Sequence, residues 1–382
     1  MEQHRGNGNR LRVVVVGAGI VGASIAYHLA RRHVAVTVLE RRQPCAGASS
    51  HSFAWLNAFG KDPVEYHDFN RRSMDAWPRF ARALDLDLGL HWGGEMRWTC
   101  TPEGARELQQ RVQQLQAWGY SSRLLEPAEL CELEPGLVPG PITAASRGES
   151  DGQVEPYKVV AACLRRAGER GATVHSNTSV TGWQLDTTGS TARRVRAVQT
   201  PQGDIACDAV VLASGVETTA LAAMAGLCIP QQESPGVVVR IVARPRVLHT
   251  VSVLHTPPID ANRPEIHLRQ GTDGALMIGE GTQESLSRND SQAHANALLA
   301  RATHYLPALA GAQAIPVPVG YRPMPLDGLP VLGFAAALPN LYIALMHSGV
   351  TLAPLVGELA SLEIVDGARV EVLKSYRPER FA

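Results

Sequence analysis

The sequence predicts an α/β plus α+β fold, with one domain on a parallel sheet and a second on a mostly antiparallel sheet. Three observations predict it. The β-branched run Arg12 to Val16 passes into Gly17-Ala18-Gly19-Ile20-Val21-Gly22, and an apolar-faced stretch continues to Arg31. A second β-branched run, Val34 to Leu39, ends on Glu40, 18 positions after the last glycine. From Pro235 to Glu280 the pattern changes to strand-like runs separated by Pro257-Pro258, Asn262-Arg263-Pro264 and Thr272-Asp273-Gly274, which favours hairpins.

The elements follow in order. Met1 to Asn9 is polar and glycine-rich and is expected to be disordered. Val13 to Ala30 has the apolar character of a signal-peptide core or membrane span, yet Gly17, Gly19 and Gly22 interrupt it and no cleavage site precedes Glu40-Arg41-Arg42. A buried strand turning into a helix explains it better. Pro63 to Leu84 places Tyr66, Phe69, Met74, Trp77, Phe80 and Leu84 at helical spacing, with Pro78 expected to kink or end the helix. His91 to Thr99 reads as a strand broken at Gly93-Gly94, Glu103 to Trp118 as an amphipathic helix, and Glu134 to Ser150 as a loop. A helix from Pro156 to Gly171, short strands near Thr173 and Val180, and the apolar strand Ala209 to Ala213 return the chain to the first sheet. A helix around Ala293 to Thr303, the segment Val317 to Pro330, a strand Leu341 to Leu345 and a helix from about Val350 to Ile364 complete it. The expected division is discontinuous: residues 1–85, 150–222 and 326–382 in the first domain, 86–149 and 223–325 in the second.

With 382 residues the chain exceeds one average domain. Its 36 basic and 36 acidic residues cancel, which removes the electrostatic case for nucleic acid or an anionic membrane as a partner. A small-molecule partner is the simpler expectation. Six cysteines, Cys45, Cys100, Cys131, Cys163, Cys207 and Cys228, lie at least 21 positions apart, without the short pairs of zinc or dithiol sites. They read as reduced thiols of a cytoplasmic protein, and no metal site is expected.

Strand, glycines, helix and acid together make the Rossmann-like fingerprint of dinucleotide binding. Gly17 permits the tight turn, Gly19 lets backbone approach a pyrophosphate, and Gly22 packs helix on strand. The helix N-terminus, from Ala18 and Ile20, offers amides to phosphate, and Glu40 is placed to hold ribose hydroxyls.

The far end of the chain separates the dinucleotides. Gly47-Ala48-Ser49-Ser50, Asp151-Gly152-Gln153-Val154-Glu155-Pro156, Val210-Val211-Leu212-Ala213-Ser214-Gly215, the run Gly320 to Pro330 and His347-Ser348-Gly349-Val350-Thr351-Leu352-Ala353-Pro354 are similar to segments of the D-amino acid oxidase-like flavoenzymes. That family includes glycine oxidase, sarcosine oxidase and D-amino acid dehydrogenase, and the resemblance spans nearly the whole chain. It implies an FAD-binding domain and a substrate domain.

The resemblance also implies roles. Arg41, Ala48, Ser49, Ser50, His51, Val180, Ala213, Ser214 and Gly215 join the fingerprint in holding FAD, while amides from Gly349, Val350, Thr351 and Leu352 face the flavin edge where reduction places negative charge. Arg322 stands where a carboxylate-binding arginine is found, and a bidentate guanidinium fits an amino-acid carboxylate. A structural role, in an ion pair to Asp327 or a carbonyl clamp, is its alternative. His347 takes the place of a second polar residue beside the substrate, as orienter, proton acceptor or bystander. His51 lies where dimethylglycine and sarcosine dehydrogenases attach FAD covalently, although non-covalent FAD is the expectation. No cysteine lies in Val319 to Met324, which argues against a cysteinyl flavin. His91, Trp92, His255 and His267 are further candidates for the pocket wall.

The implied reaction is oxidation of an amino acid or secondary amine by hydride transfer to flavin N5, the imine then hydrolysing. Little acid–base machinery is needed. Oxygen or an electron carrier would reoxidise the flavin, and the sequence leaves that choice open. It leaves open a non-amino-acid substrate and an RNA-modifying or non-catalytic flavoprotein as well. Met346 replaces a glycine common in relatives, which reshapes the pocket next to the ring.

Overall fold

The computed structural model describes residues 10–186, 193–242, 245–281 and 286–381. The segment Met1 to Asn9 lies outside the described residues.

Six strands form the first sheet, in the order Val331–Ala335, Leu338–Leu345, Ala209–Leu212, Arg12–Val16, Ala35–Leu39 and Thr173–His175. The last five run parallel, with Val13 opposite Ala209, Arg12 opposite Ala35, Val210 opposite Leu341 and Thr37 opposite Thr173. Why the first strand is a continuous valine run is visible in its two neighbourhoods. Val13 and Val15 pack with Ile25, Leu29, Leu352 and Val356 from the helices Ile20–Arg31 and Gly349–Asp366. Val14 and Val16 face the other way, onto Trp183, Val195 and Val198 of the three-stranded sheet Gly182–Asp186, Arg194–Thr200 and Gly203–Ala206. A strand covered on both faces has no solvent side to mark with polar residues.

The second sheet has eight strands, in the order Ala314–Pro316, Val238–Ile241, Leu276–Glu280, Ile266–Gln270, Val253–His255, Glu95–Thr99, Ala144–Gly148 and Ser122–Leu125. Only Val253–His255 and Glu95–Thr99 pair in parallel. The helix Gln292–Tyr305 closes one face through Ala295, Leu298 and Ala302.

Several local expectations are corrected. Pro78 does not end its helix, which runs from Val64 to Leu84. The proline sits on the solvent side, where its missing hydrogen bond costs least, and burial of Met74, Trp77 and Phe80 on the opposite face carries the helix through. The loop expected at Glu134 to Ser150 contains the strand Ala144–Gly148, whose small and polar residues give no β signal of their own but pair with Glu95–Thr99. The strand expected from His91 begins at Glu95, with His91 making a lone bridge to Gln153. The short strand expected near Val180 is present as Gly182–Asp186, with Val180 itself in the loop before it.

Candidate functional site

One cavity of about 450 Å³ runs from the glycine turn to the second sheet. Its first end is built by the turn after Arg12–Val16. Gly17 has φ +103, a value that only glycine adopts readily, and a side chain there would overlap the Ala213 carbonyl. Its amide donates to the Leu39 carbonyl at 2.8 Å. Gly22 lies so close to the Gly17 carbonyl that no Cβ fits between helix and turn. Glu40 accepts the Ala18 amide at 3.0 Å through one oxygen and the Arg42 amide at 2.9 Å through the other. The Ile20 amide donates to the buried Ser49 hydroxyl at 3.0 Å.

The helix Gly349–Asp366 meets this turn end-on. Gly349 packs against Val21, where a Cβ would stand 3.0 Å from Cγ2, and Ser348 before it takes φ +58 without capping the helix by its side chain. The first-turn amides therefore open on the cavity that Gly349, Val350 and Thr351 line. Thr351 is held in place: its hydroxyl donates to the Trp55 carbonyl at 3.2 Å, and its carbonyl accepts Ser73 Oγ at 2.7 Å and Trp77 Nε1 at 3.1 Å.

At the other end, the strand Gly320–Tyr321 pairs with Pro235–Gly236 and delivers Arg322. Arg322 Nη1 donates to the Pro235 carbonyl at 2.8 Å and to Ser234 Oγ at 3.3 Å, with its guanidinium over Gly236. Asp327 is not its partner; that carboxylate is held by Arg380 at 2.7 Å. His347 is half-buried on the cavity wall, and desolvation there, reinforced by the charges of Lys61 and Arg322, pushes its pKa well below the usual histidine value. It is a neutral imidazole at neutral pH. His267 is pushed down to about 4, first by burial, and its Nδ1 lies 3.1 Å from the Gly281 carbonyl.

Of the residues singled out in the sequence, Gly17, Gly19, Ile20, Glu40, Arg41, Ala48, Ser49, His51, Val180, Ala213, Ser214, Gly215, Arg322, His347, Gly349, Val350 and Thr351 line this cavity. Ala18, Gly22, Ser50 and Leu352 do not. Ala18, Gly22 and Leu352 are buried behind the wall, while Ser50 is exposed and donates to the Gly47 carbonyl at 2.9 Å. His51 Nδ1 lies 3.0 Å from Ser50 Oγ and 3.1 Å from the Gly47 carbonyl, and its ring packs on Gly320. His267 reaches the cavity, but His91, Trp92 and His255 do not; His255 is half-buried and packs against Trp55. The motif Asp151 to Pro156 joins the sheets instead of lining the site. Gly152–Gln153 pairs with Trp55–Leu56, and Arg269 of the second sheet donates to Gln153 at 3.1 Å and Glu155 at 2.9 Å.

Lys61, Asn57 and Phe53 line the cavity and were missed. A lysine in Gly60-Lys61-Asp62-Pro63 carries the sequence signal of a solvated loop, yet Lys61 is only 5% exposed. Asn57 is 2% exposed; its Nδ2 donates to the Trp55 carbonyl at 3.4 Å, and its Oδ1 is buried without a partner. Among the described residues no acidic, histidine or cysteine cluster could hold a metal, and no helix is long and apolar enough to cross a membrane. The six cysteines are free thiols, and none lines the cavity.

A glycine turn and a second helix N-terminus opening on one cavity, roofed by a largely antiparallel sheet, define a dinucleotide-dependent oxidoreductase with a separate substrate wall. The profile of the DAO family, FAD dependent oxidoreductase, matches residues 12–361, and the chain belongs to that family. It is 29% identical to glycine oxidase of Geobacillus kaustophilus over 364 residues, 92% of each chain. It is 26% identical to one of the subunits of opine oxidase from Agrobacterium tumefaciens over 380 residues, 97% of each. The crystal structure of glycine oxidase from Geobacillus kaustophilus superposes with a TM-score of 0.82 at 27% identity, covering 97% of this chain and all of the other. The cofactor is FAD, and the cavity suits it: no side chain fits at Gly17 or Gly22, and two helix N-termini line the cavity where an anionic group would be favoured.

Proposed function

We propose that this protein oxidises the carbon–nitrogen bond of an amino acid or secondary amine, and that Arg322 binds the substrate carboxylate. One observation carries the reading: Arg322, fixed by the Pro235 carbonyl, stands on the same cavity as the glycine turn and the Gly349 helix. When bound, FAD would supply the acceptor for a hydride leaving the carbon beside nitrogen. The carbon–nitrogen double bond left behind takes up water to give a carbonyl compound and a free amine.

The chain's own residues orient and exclude. Gly17, Gly19, Ile20 and Ser49 would meet the pyrophosphate, and Glu40 the ribose, with Arg41, Val180 and Ala213 to Gly215 along the adenosine side. The Val350 and Thr351 amides, at the helix N-terminus on the cavity wall, would stabilise the negative charge that reduction places on the flavin, without reorganisation. His347 acts as a neutral hydrogen-bonding partner; a group held this far from protonation is a weak base for an ammonium. FAD is held without a covalent bond to His51. In this reading residues 1–85, 150–222 and 326–382 form the FAD-binding part and 86–149 and 223–325 the substrate part.

The test is anaerobic bleaching of the purified yellow protein by a panel of D-amino acids, N-methyl amino acids and simple amines. Bleaching by a carboxylate-bearing class and not by the simple amines is the expected result. Readmitted air then separates an oxidase from a dehydrogenase. A protein that none of them bleaches would overturn the proposal.

A further inference from the structure

The backbone from Trp55 to Ala58 runs between the first turn of the helix Gly349–Asp366 and a buried pair of acids, Asp151 and Glu95. On one side Thr351 Oγ1 donates to the Trp55 carbonyl at 3.2 Å and accepts the Asn57 amide at 3.4 Å. On the other the Ala58 amide donates to the Tyr120 hydroxyl at 3.2 Å, and that hydroxyl donates to Asp151 Oδ1. Tyr120, Asp151 and Glu95 are all buried. Glu95 Oε2 accepts Arg97 Nε at 3.1 Å. The second oxygens of the two acids, Asp151 Oδ2 and Glu95 Oε1, are buried without partners and border the same space. A Cβ on Gly148, opposite Glu95 in the sheet, would stand 3.1 Å from the first and 3.4 Å from the second.

A phenol has one hydrogen, so its bond to Asp151 leaves the Tyr120 oxygen to accept from Ala58. Two carboxylates do not both keep their charge in one buried space where a single guanidinium is bonded. Burial raises the pKa of each. Arg97 opposes this at Glu95, while the charge of Glu95 helps to drive Asp151 well above the usual carboxylate range. The neighbouring strands bring no second cation to the pair: Arg147 is turned to Glu149 at 3.0 Å, and desolvation keeps His255, opposite Arg97, neutral. We propose that Asp151 is an un-ionised acid whose Oδ2 hydrogen faces Glu95, completing a one-way hydrogen-bond chain from the Ala58 amide through Tyr120 and Asp151 to the Glu95 carboxylate. Every hydrogen in it points from the cavity wall towards Glu95, and Arg97 balances the one charge at its end. Asp151 and Tyr120 are positioning residues: they hold residues 55–58 against Thr351, and so fix the first turn of the helix that meets the flavin. The inference takes from the reading above only that placement of the flavin, and it needs no amine.

Infrared absorption of the FAD-loaded protein at neutral pH tests the acid. The flavin midpoint potential, read against an indicator dye during reductive titration, tests the positioning. The wild type should show the carbonyl band of a buried un-ionised carboxylic acid that Asp151→Asn lacks. Asparagine repeats the chain, with Oδ1 accepting from Tyr120 and Nδ2 donating to Glu95, and exchanges one neutral group for another, so its potential should match the wild type. Tyr120→Phe and Asp151→Leu break the chain without changing charge. Each should weaken the preference for reduced flavin by about threefold to tenfold, the range of one neutral hydrogen bond, which is about 15–30 mV more negative for a two-electron couple. A wild type without the band, or a potential raised in Asp151→Asn by the loss of a negative charge, would overturn the acid. Unmoved potentials in Tyr120→Phe and Asp151→Leu would overturn the positioning. Should Asp151→Leu fail to fold, Tyr120→Phe decides. Bleaching by the amine panel stands apart from both arms: bleaching with unmoved potentials keeps the oxidation reading and sinks the chain, and the converse keeps the chain and sinks the reading.

Discussion

Gly236 and Arg322 fit each other: the guanidinium lies over the glycine so closely that a methyl group on Gly236 would overlap Nη2. Gly236→Ala should therefore displace Arg322 from the Pro235 carbonyl without touching the FAD-binding turn. On the best carboxylate substrate kcat/KM is expected to fall by about tenfold to a hundredfold, with flavin content unchanged. Arg322→Ala should fall at least as far. Activity within a few-fold of wild type in Arg322→Ala would mean that another group binds the carboxylate.

Gly17→Ala forces a side chain into φ +103 and against the Ala213 carbonyl. The turn must open, and the variant should purify colourless or lose FAD on gel filtration. Visible absorbance per mole of protein reads this directly, and full flavin retention would contradict the assignment of the turn.

These two glycines mark the difference between what the sequence announced and what it hid. The Gly17 turn was legible because local chemistry dictates it: a strand, a positive φ and a helix start within a few residues. The Gly236 contact was not, since it depends on Pro235–Gly236 meeting Gly320–Tyr321 across 84 positions. Lys61 was hidden for the same reason, because only tertiary packing turns a loop lysine inward. The strand Ala144–Gly148 is specified by its neighbours and not by its own residues, so no periodicity could reveal it. Arg322 and His347 were found through motif resemblance. Their environment, a guanidinium anchored on the Pro235 carbonyl and the Ser234 hydroxyl and an imidazole held neutral, came only with the structure.

Denaturation with acid should release all of the flavin into the supernatant, and intact mass should equal that of the polypeptide. A mass higher by one FAD, lost in His51→Ala, would show covalent attachment at His51.

Arg377 donates to both oxygens of Glu363, at 2.8 and 2.5 Å, in a pair that is almost wholly buried. Glu363 also accepts the Val370 amide at 2.8 Å. Removing the acid strands a buried guanidinium, so Glu363→Ala is expected to lower stability by about 3–5 kcal/mol. Urea unfolding followed by tryptophan fluorescence would measure it, and a loss below about 1 kcal/mol would be inconsistent with the burial seen.

His28 is stacked on Phe80 and pushed down to about 3, mainly by burial. Above pH 6.5 it is neutral in both folded and unfolded chains and adds no pH dependence. Below that value the unfolded chain takes up a proton that the folded one refuses until about pH 3, so stability falls across this interval. The thermal midpoint should decline between pH 6.5 and 4, and less steeply in His28→Leu. Parallel declines would exclude His28 as the source.

The strand Leu338–Leu345 has a consequence for how the protein is made. It pairs with Ala209–Leu212 inside the first sheet, and the helix that follows it docks on the turn formed by residues 17 to 22. A ribosome has thus passed Leu345, more than 300 residues beyond the glycine turn, before the nucleotide cradle has its second wall. Flavin capture consequently waits on the synthesis of that wall. Nascent chains that stall before Leu345 would be left with a half-covered valine sheet, a substrate for chaperones and not for the cofactor.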